Sequence, residues 1–98
     1  RAAVQWWAGK NVTVQEPSSL TANSINIKLA ATSFANGNTV LTLPRWCRPK
    51  VTKNVPVPFT ADGVSFGMAM ATINASTGQI SIEGSTTTSP TFYIDATW

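Results

Sequence analysis

Apolar and polar residues alternate one by one along much of this chain, and helical spacing is almost absent. The clearest case is Ser24-Ile25-Asn26-Ile27-Lys28-Leu29. A period of two sends successive side chains to opposite faces of an extended backbone, as in a half-buried strand. Thr39-Val40-Leu41-Thr42-Leu43 reads the same way, and Pro44 ends it because proline has no amide for a ladder. Between the two lies Ala35-Asn36-Gly37-Asn38, whose Asn-Gly step tolerates positive φ. The pattern therefore predicts a hairpin across residues 24–43.

Further along, residues 64–73 form a long strand pattern. Its even positions (Val64, Phe66, Met68, Met70) hold the bulk, and its odd positions are mostly small. Small residues on one face let a second layer approach closely, or mark a face beside a symmetry axis. A turn at 74–78 precedes a second alternating run at 79–83, a polar loop at 84–90 and a closing aromatic strand at 91–98. At the front, residues 3–7 and 11–15 flank Gly9-Lys10. Six to seven short strands with turn signals between them predict an all-β fold, a small antiparallel β-barrel or sandwich. No repeat or linker divides residues 1–98, so one domain is expected. Because the chain opens on Arg1, it reads as a piece excised from a longer protein.

Composition sharpens this picture. Only 11% of residues are charged, against about 25% in ordinary soluble domains. Thr, Ser and Asn make up nearly a third of the chain, so neutral polar groups or an oligomer interface must cover its surface. The net charge of +3 is local: Arg45, Arg48, Lys50 and Lys53 fall within nine residues. Histidine is absent and cysteine occurs once. Triads, metal sites and internal disulfides are therefore not expected, and neither is a cofactor. The four carboxylates, Glu16, Asp62, Glu83 and Asp95, form no pair of the kind glycoside hydrolysis needs. The chain is expected not to be an enzyme. No apolar run reaches the ~18–20 residues of a membrane helix, so membrane insertion is not expected either.

The seven residues Pro44-Arg45-Trp46-Cys47-Arg48-Pro49-Lys50 combine three cations, a ring and the lone thiol. A single-strand nucleic-acid site would need several stacking aromatics, and this stretch has one, so nucleic acid is not an expected partner. Its prolines instead bracket a stiff crossover, with Trp46 and Cys47 plugging one end of the core and the arginines facing solvent or a neighbouring subunit. Adjacent residues of a strand face opposite sides, so Trp6 and Trp7 cannot both be core; one must meet solvent, a sugar or another subunit. Asn11-Val12-Thr13 and Asn74-Ala75-Ser76 match the glycosylation acceptor pattern, which arises readily by chance in so Asn-, Ser- and Thr-rich a chain.

The order of segments is more distinctive than any single motif. The Arg-Trp-Cys-Arg-Pro loop leads to Val55-Pro56-Val57-Pro58-Phe59 and the turn Ala61-Asp62-Gly63. A strand with Ser65-Phe66-Gly67 follows, then Thr77-Gly78-Gln79-Ile80-Ser81-Ile82, a Ser/Thr loop and Phe92-Tyr93-Ile94. Over residues 44–98 this arrangement resembles the C-terminal head domains of receptor-binding, tail-fibre proteins of tailed bacteriophages, particularly those of lactic-acid bacteria. The resemblance implies a homotrimeric β-barrel knob at the tip of a virion's fibre or baseplate, outside the cell. It implies attachment to a host cell-surface saccharide near the subunit boundaries. Where some members place His, Asp and Trp, this chain has Gly67, Met68, Ala69 and Met70, then Ile80, Ile82 and Glu83, so no binding residue transfers. Candidate contact residues come instead from loops and exposed aromatics: Trp46, Arg48, Asp62 and the 85–89 loop, with Ser85 and Thr87. The rival readings are an assembly module of a tail or fibre without a receptor of its own, an animal-virus fibre head that binds a protein receptor, and a bacterial carbohydrate-binding module.

Overall fold

The computed structural model describes residues 8–98, apart from the side chains of Glu16 and Pro17. Among these residues seven strands follow in chain order: β1 (Val12–Thr21), β2 (Ser24–Ala31), β3 (Thr39–Thr42), β4 (Lys53–Thr60), β5 (Phe66–Ile73), β6 (Gln79–Glu83) and β7 (Thr91–Thr97). They make one antiparallel sheet in the order β1-β2-β7-β4-β5-β6-β3. The sheet rolls until its ends approach: Ala8 bridges Leu41, and Gly9 N donates to Val40 O at 2.9 Å. The result is a small, nearly closed β-barrel, as the alternation predicts.

Period-two burial lines the barrel. Ile25, Ile27, Leu29 and Ala31 of β2 point inward, as do Phe92, Ile94 and Ala96 of β7 and Ile80 and Ile82 of β6. Phe92 is the centre of an aromatic cluster, edge-on to Phe34 at 5.1 Å between centroids and tilted against Phe59 at 6.2 Å. On β5 the small face is the inner one: Ala69, Ala71 and Ile73 are buried. A Cβ on Gly67 would lie 2.8 Å from the Phe59 ring, so this glycine lets the ring close over the strand.

The hairpin expected across 24–43 does not form. β2 lies between β1 and β7, and β3 pairs with β6. The connection is held elsewhere by longer-range contacts. Phe34 is buried against Phe92 and its amide donates to Thr88 O. Gly37, at φ 92°, donates to Ile82 O. Asn36-Gly37 is thus a corner that delivers the chain to β6, not a turn that folds it back on β2. The tight hairpin is the one between β1 and β2, where Thr21 pairs with Ser24. β1 also runs further than residues 11–15, through a register shift between Gln15 and Ser19. The strand expected at 3–7, with Trp6 and Trp7, lies outside the described residues.

Candidate functional site

The sequence-derived contact residues fall into two places whose clefts share no lining residue. Asp62 and Thr87 line one cleft of about 290 Å³, together with Thr60, Ser65, Phe66 and Thr86. It is built by the turn after β4 and the loop before β7. Thr60 organises the turn from inside: its buried hydroxyl donates to Ser65 O at 2.8 Å and accepts the Gly63 amide at 2.8 Å. Asp62 Oδ1 accepts the amides of Val64 and Ser65 at 2.8 and 2.9 Å. Those amides, Ser65 first, hold the Asp62 carboxyl below its ordinary range. The cleft therefore presents a fixed anionic acceptor at neutral pH.

The opposite wall is equally tied. Asn36 Oδ1 accepts the amides of Gly84 and Ser85, both at 3.0 Å. Ser85 Oγ donates to Thr87 O at 2.8 Å, and Thr87 Oγ1 accepts the Ser89 amide at 3.2 Å. Ser85 accordingly shapes the loop, while Thr86 and Thr87 reach the cleft. Sequence reasoning missed Phe66, which brings an exposed ring to the rim and lies 5.8 Å from Tyr93. Its even-numbered place on β5 was the available signal. Asn36, which braces the loop from 49 positions away, gave no signal at all.

Trp46 and Arg48 belong to the other place, the 3-10 turn Arg45–Cys47 and its exit. Arg48 Nε donates to Leu43 O at 3.1 Å, and Nη1 donates to Ser76 O at 2.9 Å. The guanidinium clamps this turn to the β5–β6 connection, where Gly78 sits at φ 76° with Leu43 O where a Cβ would go. Arg45, Arg48 and Lys50 line a shallow cationic cleft beside Ala75 and Ser76. Trp46 does not plug the core, since it is exposed. Within the turn it is the smaller Cys47 that is buried, and the larger Trp46 faces outward.

Cys47 is fully buried with Sγ 3.4 Å from Pro44 O. Burial lifts its thiol from 9.0 to about 11, against the opposing pull of Arg48. A folded value above the unfolded one means that the neutral thiol stabilises the fold below about pH 9, a contribution lost as pH rises toward 11. An aromatic disulfide reagent at pH 8 is expected to leave the native protein untouched and to titrate one thiol in urea. Immediate stoichiometric reaction of the native protein would contradict this placement.

Among the described residues no group of three His, Cys, Asp or Glu side chains could hold a metal ion. Among the described residues, no helix is long and apolar enough to cross a membrane.

The largest departure from an ordinary surface lies on the outside of β5. Val64 just ahead of the strand is 82% exposed, followed by Phe66 at 56%, Met68 at 63% and Met70 at 47%. Pro58 and Pro56 of β4 stand opposite Met68 and Met70, which widens the apolar face. Isolated exposed apolar residues are common, but a contiguous apolar face marks a surface that binds something. No protein-family model, curated protein or solved structure matches this chain.

Proposed function

We propose that this chain is a non-catalytic receptor-binding head that assembles as a homotrimer through the outer face of β5 and attaches a virion to a host cell surface. The observation that carries the reading is the apolar face of Val64, Phe66, Met68 and Met70 on a chain with only 11% charged residues. A surface this poor in charge gains from closed symmetric burial of its apolar face. The order of segments adds the resemblance to phage head domains, and with it a virion location and a saccharide ligand. The cleft at Asp62 suits that ligand: sugar rings lay their C–H faces on an aromatic side chain while a carboxylate and hydroxyls take their O–H groups. Phe66 is the first residue of β5, so its ring stands where the assembling face meets the cleft, at the subunit boundary, beside Asp62, Thr86 and Thr87.

An assembly module without a receptor of its own is the second reading, and the same β5 face favours it. Binding to a bacterial cell-wall saccharide array separates the two. The wild-type protein is expected to bind, and Asp62→Asn to weaken binding by about tenfold or more, the size of one charged hydrogen bond. Absence of binding to any saccharide, or unchanged binding by Asp62→Asn, removes the cleft from the proposal and leaves the assembly reading.

A further inference from the structure

Asn36-Gly37 does more than turn a corner. Asn36 Oδ1 accepts the amides of Gly84 and Ser85, both at 3.0 Å, and its Nδ2 donates to Ser85 O at 3.3 Å. One side-chain amide thus ties the 32–38 connection to the loop that carries Thr86 and Thr87 to the Asp62 cleft. Gly37 N donates to Ile82 O at 2.9 Å, and Ile82 N returns a bond to Asn38 O. Residues 35–38 are all exposed to solvent.

The group that makes this brace is chemically labile. An asparagine is open to attack by the main-chain nitrogen of the next residue, which closes a five-membered imide. Glycine obstructs that attack least, because it has no Cβ. Of all the asparagines in the chain, Asn36 alone precedes glycine. Base takes the Gly37 amide proton and the nitrogen attacks Asn36 Cγ. An N–Cγ bond forms, the Cγ–Nδ2 bond breaks, and the proton returns through water as ammonia leaves. Water then opens the imide at either carbonyl, giving aspartate or an isoaspartyl link whose main chain runs through the former side chain. Water and base are the only co-reactants.

The docked loop opposes the first step. Ile82 O engages the very proton that base must remove. Glu83 Oε2 lies 4.0 Å from where a Cβ on Gly37 would stand, and its charge disfavours the anion that the nitrogen must become. Ring closure also removes Nδ2, and with it the bond to Ser85 O.

We infer that Asn36 is a gated deamidation site, inert while the 84–85 loop is docked and converted irreversibly in molecules whose loop has opened. The product does not rebuild the brace. Aspartate has no donor for Ser85 O and adds a second charge near Glu83. The isoaspartyl link lengthens the main chain by one carbon and shifts Gly37 N from Ile82 O. Either product leaves the cleft wall at Thr86 and Thr87 undocked.

The whole protein, incubated at pH 8 and 37 °C both native and in urea, tests this. Mass spectrometry of the peptide around residue 36 follows conversion, and isoaspartate methyltransferase labelling counts the isoaspartyl product. In urea Asn36 is expected to convert at least ~tenfold faster than any other asparagine, and in the native protein at least ~tenfold more slowly than in urea. The native-to-urea rate ratio should equal, within about threefold, the open fraction given by hydrogen exchange at the Gly37, Gly84 and Ser85 amides. Protein aged in urea and refolded should exchange Gly84 and Ser85 about tenfold faster, with Ile94 unchanged. Asn36→Ala should show the same loosening with no conversion at this position. If that variant does not fold, the wild-type measurements decide. Three results overturn the inference: native conversion as fast as in urea, a native rate far below the open fraction of the loop, or undiminished protection of Gly84 and Ser85 in the aged protein.

Discussion

Lysines in place of Met68 and Met70 are expected to turn the proposed trimer into a monomer without unfolding it. Both side chains point away from the barrel core and are about half exposed or more, so the fold has little stake in them. Met70 stands opposite Glu83 across the β5–β6 ladder, which gives its lysine a favourable neighbour. Surface substitutions of this kind usually move stability by about 0.5 kcal/mol. The proposed interface has much more at stake. Each residue of the apolar face contributes roughly 1–2 kcal/mol when covered, and association must first overcome ~4–15 kcal/mol of lost freedom. Removing two such residues and burying two charges per subunit is expected to weaken assembly by at least ~100-fold. Light scattering behind size-exclusion chromatography reads the mass, and thermal unfolding reads the stability. An unchanged mass would mean that β5 is not the interface.

The largest loss of stability is expected at Phe92→Ala. This ring is fully buried and packs against both Phe34 and Phe59, so it ties the 32–38 connection to β4 and β7. Truncating a buried phenylalanine costs about 3–5 kcal/mol through lost transfer energy and the cavity left behind. A domain of this size holds ~5–15 kcal/mol in total, so the variant should melt roughly 15–30 °C lower. Because Phe34 buries the connection against this ring, the loop at 85–89 should loosen too. A shift under about 5 °C would show that the aromatic cluster is not the centre of the core.

The strands were legible because burial in a rolled sheet imposes a period of two, and β2, β5, β6 and β7 all display it. Which strands pair was not legible. Asn36-Gly37 is a hairpin signal judged locally, yet its hydrogen bonds go to Ile82 and to residues 84–85. The parity of β5 could be read directly, but not which face turned inward. That was decided by Phe59, whose ring needs Gly67 beneath it, and the larger side chains were left outside.

The candidate site divides for the same reason. Asp62 and Thr87 meet because β4 and β7 are paired at Phe59 and Thr60, a non-local fact. Arg48 looked like a free cation in a basic stretch; its role as a clamp depends on the carbonyls of Leu43 and Ser76.

The mass of the wild-type protein in solution at micromolar concentration tests most directly whether copies of this chain cover the outer face of β5. Three times the chain mass of 10.4 kDa is the predicted result; a particle of 10.4 kDa would contradict it.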